Sequence, residues 1–245
     1  MRRTFSAIRQ ILTGAAMTLL LISTAGAVTG TGVTTANLVQ NYRTPPKADA
    51  GNSPEKAARD RLQASIDAVF AALNDPQYAN ESNKDVLFNR LESIVAEVFD
   101  YTAFSALAVG RPWHTFTPDQ QARFTDAFAD LLRSSYIERV RDYSGNGVSY
   151  TGERKNTQGN KVIVMTTLDY QGKSVPVEYR MVDTDGVWVV YDVVVEGVSL
   201  VQNYRSQFQS LLKNNSDPEI LITKVRERAA YVRQHGGDDS VPLAK

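Results

Sequence analysis

The sequence predicts an α+β fold in which helices come before and after a four-stranded antiparallel meander. Between about residues 54 and 140, apolar residues recur at the three- and four-residue spacing of amphipathic helices. From about residue 148 to residue 195 the apolar spacing changes to two, which is typical of strands, and the helical spacing then returns. Helices, strands and helices in separate blocks indicate an α+β domain, because a parallel sheet would alternate strands with helices.

The first 27 residues have the features of a secretory signal peptide. Arg2, Arg3 and Arg9 precede an apolar stretch at 11–22, and the small residues 25–27 follow it. The apolar stretch is too short to span a bilayer comfortably. The sequence therefore predicts export of a soluble protein after cleavage behind Ala27, by the Sec route or the twin-arginine route.

The mature chain divides into a lead-in, a domain and a tail. Residues 28–53 are rich in Thr, Gly, Ala and Pro and predict a flexible lead-in, whereas 236–245 form a polar tail. The domain between them is predicted at 54–235. Residues 38–43 recur letter for letter at 200–205, but six residues are too few for an architectural repeat.

Four helices are predicted before the sheet, at about 54–74, 87–98, 101–109 and 117–140. Ser53 and Pro54 suit the cap and the first turn of the first helix. Gly110 ends the third helix. Thr117 and Gln120 have the spacing of a capping box at the start of the fourth.

The four predicted strands lie at about 148–154, 161–170, 174–182 and 187–195. Turns at Gly159, Gly172 and Gly186 are short, so consecutive strands must be antiparallel neighbours. The second and fourth strands are apolar at both alternating positions, which predicts that both faces of the sheet are covered. Helices at about 198–213 and 218–234 are predicted to follow.

Composition excludes several classes of function. The chain has 27 basic and 27 acidic residues, and removal of the three arginines of the signal peptide leaves a mildly acidic protein. Such a charge does not suit nucleic acid, which is therefore not expected as a partner. The absence of cysteine excludes thiolate chemistry and disulfides, and His114 and His235 are too few for a histidine-rich metal centre. No cofactor or metal is expected.

Asp192 is the carboxylate that most needs an explanation, because it lies in the most apolar strand. A buried carboxylate there could have a raised pKa and serve acid–base chemistry, or it could pair with Arg180 or Arg205. Ser199 lacks the second glycine of a nucleophile elbow and suits a helix cap. Residues 145–147 join a helix to a strand, which is the reverse of a phosphate-binding loop.

Two blocks of sequence resemble the MlaC (toluene-tolerance) family of phospholipid-binding proteins. Residues 109–136 are similar to its Gly-x-x-Trp, Thr-x-x-Gln-x-x-x-Phe and Leu-Leu-x-x-x-Tyr pattern, and 188–208 resemble its C-terminal signature. The resemblance covers about 55–232. The departures are Val109, where the family usually has Leu, and the long lead-in.

The resemblance implies a periplasmic carrier with a cone-shaped fold related to nuclear transport factor 2 and an apolar cavity for phospholipid acyl chains. It implies no enzymatic activity. The expected partners are an outer-membrane lipoprotein–porin complex and an inner-membrane ABC transporter with MCE domains, and membrane contact is expected through these partners alone. Such a carrier supports outer-membrane lipid asymmetry. A hopanoid carrier, an isomerase or hydrolase with a pocket of the same fold type, and an adaptor without a ligand remain alternatives.

From periodicity alone the apolar residues could form a closed core or enclose a cavity. If the resemblance holds, the cavity wall should come from apolar side chains beyond those that the packing of the helices needs. These are Phe104, Leu107, Phe128, Leu132, Tyr136, Val164, Tyr179, Met181, Val189, Tyr191 and Val193. Trp113, Asp192, Gly197, Ser199 and Arg205 match the family pattern and are assigned structural roles.

Overall fold

The computed structural model describes residues 53–78, 81–141, 147–170, 172–214 and 217–235. The predicted signal peptide, the lead-in up to residue 52 and the tail at 236–245 lie outside the described residues. The helices and strands are α1 (Pro54–Leu73), α2 (Lys84–Ala96), α3 (Tyr101–Val109), α4 (Pro118–Arg141), β1 (Val148–Lys155), β2 (Lys161–Tyr170), β3 (Lys173–Thr184), β4 (Val187–Val195), β5 (Val198–Ser199), α5 (Leu200–Asn214) and α6 (Pro218–Gln234).

Local sequence signals fix the helix ends. The Ser53 hydroxyl accepts a hydrogen bond from the Lys56 amide at the start of α1. At the start of α4 the Thr117 amide donates to Gln120 Oε1 at 2.9 Å, and the Gln120 amide donates to Thr117 Oγ1 at 3.2 Å. This is the predicted capping box. Gly110 ends α3 with φ of 75°, a backbone conformation that favours glycine.

The sheet is antiparallel, with strands in the order β1-β2-β3-β4-β5. The prediction of four strands is short by one, because β5 has only two residues and therefore shows no alternating pattern. Glu196 and Gly197 adopt φ of 47° and 81°, and this tight turn brings Val198 and Ser199 back to pair with the end of β4. The helix predicted from about residue 198 therefore starts two residues later, at Leu200, because 198–199 form β5.

One face of the sheet carries the core. In β2 buried and partly exposed residues alternate, so Ile163 and Met165 lie on a face that remains partly open to solvent. The prediction that both faces are covered is right only near the end of β4, where the consecutive residues 193–195 are all buried. There α5 packs against the strand.

The main core joins the sheet to α1, α3, α4, α5 and α6 and contains a group of aromatic rings. The Phe128 ring lies 4.9 Å from the Phe208 ring and 5.5 Å from the Phe104 ring, measured between centroids. All three side chains are fully buried. These contacts make the centre of the domain a closely packed region.

A second, smaller apolar cluster lies between α1 and α2. Its buried members are Val69, Ala72, Phe88, Leu91 and Ile94. The two helices thus form a hairpin with a core of its own. None of the described helices has both the length and the apolar character that crossing a membrane requires.

Candidate functional site: an apolar cavity under the helical hairpin

A small cavity of about 20 Å³ lies between the α1–α2 hairpin and the sheet. Nine of its eleven wall residues have purely hydrocarbon side chains, and Ser65 and Tyr179 are the other two. The wall consists of Leu62, Ser65, Ile66 and Val69 from α1, Ile94 and Val95 from α2, Val98 and Phe99 from the α2–α3 connection, Tyr179 from β3, and Val190 and Val193 from β4.

Helical spacing places the α1 residues on one side of the cavity. Leu62, Ile66 and Val69 lie within two turns of each other on the face that α1 turns toward the sheet. Ile94 and Val95 of α2 line the neighbouring wall. The α1 and α2 residues are therefore parts of one continuous apolar surface.

A β-bulge in β4 places two valines in the floor of the cavity. Val190 and Val193 are three positions apart, so a regular strand would turn them to opposite faces. The pairing shifts here, because Met181 lies opposite Val190 whereas Arg180 lies opposite Asp192. Tyr191 is the extra residue of the bulge, and both valines face the cavity as a result.

The chemistry of the wall suits an apolar ligand. None of the described wall residues carries a charge, and Ser65 and Tyr179 contribute the hydroxyl groups. Within the described part of the chain, no group of three or more His, Cys, Asp or Glu side chains is placed to hold a metal ion. A surface of this kind excludes water and makes few directional contacts, so it can hold hydrocarbon chains without selecting strongly among them.

Asp192 lies on the other face of β4, away from the cavity. Its Oδ2 accepts hydrogen bonds from Ser199 Oγ at 2.7 Å and from Arg180 Nη1 at 3.0 Å, and its Oδ1 accepts from the Val201 amide at 3.1 Å. Burial raises the pKa of Asp192, whereas the bonds from Ser199 and Val201 and the Arg180 charge oppose this rise. Ser199 Oγ also accepts from the Gln202 amide at 3.1 Å and so caps α5. The carboxylate therefore holds β4, β5 and α5 together.

Arg205, the other arginine considered as a partner of Asp192, has a different contact. Its Nε and Nη2 donate to the Leu107 carbonyl at 2.9 and 2.6 Å, which joins α5 to the end of α3. Trp113 packs on Phe116 and Phe124 with ring centroids 5.7 and 6.0 Å apart. These contacts agree with structural roles for both motif residues.

The structure places the predicted wall residues in four different environments. Tyr179 and Val193 line the cavity. Leu107 is 37% exposed on α3, and Val189 and Tyr191 lie partly exposed on the sheet face opposite the cavity, with the Lys161 ammonium 5.2 Å from the Tyr191 ring. The side chain of Tyr136 lies outside the described residues. The others are buried in the packed core and do not line the cavity, and they are Phe104, Phe128, Leu132, Val164 and Met181.

Sequence reasoning missed the α1 and α2 part of the wall. The apolar stripe of α1, with Leu62, Ile66 and Val69, was visible in the sequence as a packing face. A stripe that packs and a stripe that lines a cavity have the same spacing, so the pattern does not tell them apart. The bulge at Tyr191 likewise has no signal in the alternation of β4.

The fold and the cavity define an α+β protein built to enclose an apolar ligand. The family model of the MlaC protein matches residues 63–227, which is more than half of the chain. The chain belongs to the MlaC family, as the two motif blocks predict.

Two characterised relatives have low identity over long stretches. The toluene tolerance protein ttg2D of Pseudomonas putida is 24% identical over 145 residues, which are 59% of this chain and 66% of the relative. The intermembrane phospholipid transport system binding protein MlaC of Haemophilus influenzae is 19% identical over 173 residues, which are 69% of this chain and 80% of the relative.

A solved structure has the same fold. The phospholipid-binding protein from Ralstonia solanacearum, in complex with a phospholipid, is similar with a TM-score of 0.63 and 25% identity. The similarity covers 71% of this chain and 98% of that one. The predicted α+β fold is thus confirmed, with the additional fifth strand.

Proposed function

We propose that this protein is a periplasmic phospholipid carrier that moves lipid between the outer and inner membranes and catalyses no reaction. The observation that carries the proposal is the cavity under the hairpin, whose described wall residues are all uncharged. The similar protein of Ralstonia solanacearum is in complex with a phospholipid, which supports the same class of ligand here.

The energetics of an acyl chain in water explain why such a carrier needs an apolar cavity. Each buried methylene contributes about 0.8 kcal/mol, so exposing a sixteen-carbon chain costs on the order of 12 kcal/mol. Unaided transfer through an aqueous compartment is correspondingly slow. Apolar contacts hide the chain and still allow its release, because a competing apolar site offers the same interaction.

The cavity is too small to hold an acyl chain in this conformation. Its volume is about 20 Å³, roughly the room that one water molecule needs, whereas ligand pockets commonly measure roughly 300–1,000 Å³. A diacyl lipid therefore requires the hairpin and the sheet to move apart.

Location and partners are the further parts of the proposal. The signal peptide predicted at 1–27 supports export to the periplasm. The similarity to the Haemophilus influenzae protein, a binding protein of an intermembrane phospholipid transport system, supports a role between two membranes. We therefore propose an outer-membrane lipoprotein–porin complex and an inner-membrane MCE-domain ABC transporter as partners, in support of lipid asymmetry.

The position of Asp192 argues against an enzyme with an acid–base pocket. The carboxylate lies on the sheet face away from the cavity and is bonded to Ser199, Arg180 and the Val201 amide. A catalytic acid or base must be within hydrogen-bond reach of its substrate. The carrier proposal needs no such group.

Native mass spectrometry of residues 28–245, purified from the periplasm without detergent, tests the proposal. We expect a stoichiometric adduct, and solvent extraction should identify it as a phospholipid. A hopanoid mass would change the lipid class and keep the carrier role. An empty protein that also takes no lipid from vesicles of phosphatidylethanolamine and phosphatidylglycerol would overturn the proposal.

A further inference from the structure

The α1–α2 hairpin has an apolar cluster of its own. Val69 and Ala72 of α1 pack against Phe88, Leu91 and Ile94 of α2 in a cluster separate from the main core. The cavity lies on the other side of this cluster, between the hairpin and the sheet. Motion of the whole hairpin would therefore enlarge the cavity and leave the contacts inside the hairpin intact.

One end of the hairpin is bonded to the sheet through the backbone. We call this end, where α1 begins and α2 ends, the hinge end. The Val190 amide donates to the Val98 carbonyl at 2.7 Å, and the Asp100 amide donates to the Val190 carbonyl at 2.9 Å. These two bonds tie the exit of α2 directly to β4.

Two ion pairs hold the hinge end to the edge strand β1. Lys155 Nζ lies 3.0 Å from Glu55 Oε1, and Arg59 Nη1 lies 3.2 Å from Glu153 Oε1. Both acidic–basic pairs join the first two turns of α1 to β1. The start of α1 is thus fixed on one side by β1, while the exit of α2 is fixed by β4.

About one turn before the end of α2, an ion pair joins α2 to the long helix α4. Arg133 Nη1 lies 2.7 Å from Glu92 Oε1, and the two side chains are 18% and 24% exposed. Arg133 also lies 3.8 Å from Asp130, which in turn is 2.5 Å from Arg233. The pair therefore anchors the hairpin to the firmly packed α4–α6 helices.

We propose that the seam between the α1–α2 hairpin and the body of the domain is the entrance for lipid and that the Glu92–Arg133 ion pair is the clasp that keeps it closed. The hairpin swings about the hinge end, the clasp separates, and the cavity widens between α1, α2 and β4. This inference rests on the proposed carrier function and specifies how its site opens.

The physical chemistry of the clasp suits a reversible closure. A partly exposed ion pair is weak enough to open thermally, and both charges regain hydration when it does. Removing one partner alone would leave a half-buried charge without compensation and would confound closure with stability. The informative variant therefore neutralises both partners and keeps their hydrogen-bonding groups, as Glu92→Gln with Arg133→Gln does.

The first experiment measures the rate at which a phospholipid with a fluorescent acyl chain moves from loaded protein to vesicles of phosphatidylethanolamine and phosphatidylglycerol. We expect the double variant to transfer lipid about two- to fivefold faster, the range that fits the loss of one such ion pair. The matched control is Arg123→Gln with Glu219→Gln, which breaks an α4–α6 ion pair remote from the seam. The control should transfer lipid at the unmodified rate, and equal rates in both double variants would refute the clasp.

A second experiment exploits the absence of cysteine from the chain. In Glu92→Cys with Arg133→Cys, a short reducible bis-thiol cross-linker joins α2 to α4. Empty cross-linked protein should take up no lipid from vesicles, loaded cross-linked protein should retain its lipid, and reduction should restore both processes.

The outcomes separate the clasp from the carrier function. If cross-linked protein takes up lipid as fast as reduced protein, lipid does not enter through this seam. If the reduced double-cysteine protein and the unmodified protein both bind no lipid, the carrier function fails instead. Circular dichroism of each variant checks that the helices and the sheet are retained.

Discussion

Tyr179 and Val193 lie opposite each other across β3 and β4, and both side chains line the apolar cavity. Their pairing places the floor of the cavity on the core face of the sheet, and the bulge at Tyr191 adds Val190 to the same floor. The site is thus the product of strand register as much as of residue type.

Filling the floor of the cavity should abolish lipid binding without unfolding the protein. In Val193→Trp the indole would fill the small cavity and press on its wall, so a lipid chain can no longer enter. The cavity takes up only part of the added volume, so thermal stability should fall, but by less than in a fully packed core, and lipid uptake from vesicles should be lost.

Val189→Trp is the matched control for this substitution, because Val189 lies on the partly exposed face of the same strand. It should leave uptake unchanged. Equal loss of uptake in both variants would show that the effect comes from the strand and that the cavity is not the lipid site.

Leu132→Trp should behave differently, because its side chain is 2% exposed in the main core and does not line the cavity. Adding volume to a filled core forces neighbouring side chains out of their preferred rotamers and costs about 1–3 kcal/mol. Chemical denaturation should report this loss of unfolding free energy. Full stability with loss of lipid uptake would instead assign Leu132 to the binding surface.

Asp192→Asn should be tolerated far better than Asp192→Ala. Asparagine keeps one oxygen for the Val201 amide, and its amide nitrogen can donate to the Ser199 hydroxyl, whereas alanine leaves both Ser199 and the Val201 amide without this partner. Unsatisfied buried groups of this kind cost about 1–3 kcal/mol each. Urea denaturation at neutral pH should rank Asn clearly above Ala, and equal stabilities would contradict the bonding described for this carboxylate.

The Asp192 carboxylate should also make the stability of the protein depend on pH in a direction that can be predicted. Burial raises the pKa of Asp192 above its ordinary value of 3.8, so the folded state takes up a proton more readily than the unfolded chain. Its contribution to the unfolding free energy should therefore rise as pH falls from the raised pKa toward 3.8 and be absent from Asp192→Asn. If the contribution of Asp192 to the unfolding free energy fell as the pH was lowered, its pKa would be lowered in the folded state and the prediction would be wrong.

Glu219 should change the stability of the protein with pH in the opposite direction. Hydrogen bonds from Arg123 and Gln120 lower its pKa from 4.5 to about 2, so the stabilising contribution is present above pH 4.5 and is lost as pH falls toward 2. NMR titration of the carboxyl carbon should show the low pKa and its return toward 4.5 in Arg123→Gln. Asp119→Asn leaves the Arg123–Glu219 pair in place and should keep the pKa of Glu219 low.

Periodicity and capping signals predicted the helices and the four long strands, because these depend on residues close together in the chain. The Thr117–Gln120 capping box and the glycine at 110 fixed boundaries to within a residue or two. The two motif blocks predicted the family. The two-residue β5 was missed, since its pairing depends on the turn at Glu196 and Gly197.

The sequence by itself determined the order of elements, their amphipathic faces, the family and the absence of thiol chemistry. Only the tertiary structure decided which apolar residues face a cavity and which fill the core. Leu62 and Leu132 are equally buried, yet one lines the cavity and the other packs among core side chains. The physical reason is that hydrophobic spacing specifies which side of an element leaves water, whereas the distance to the element opposite depends on strand register, bulges and helix placement.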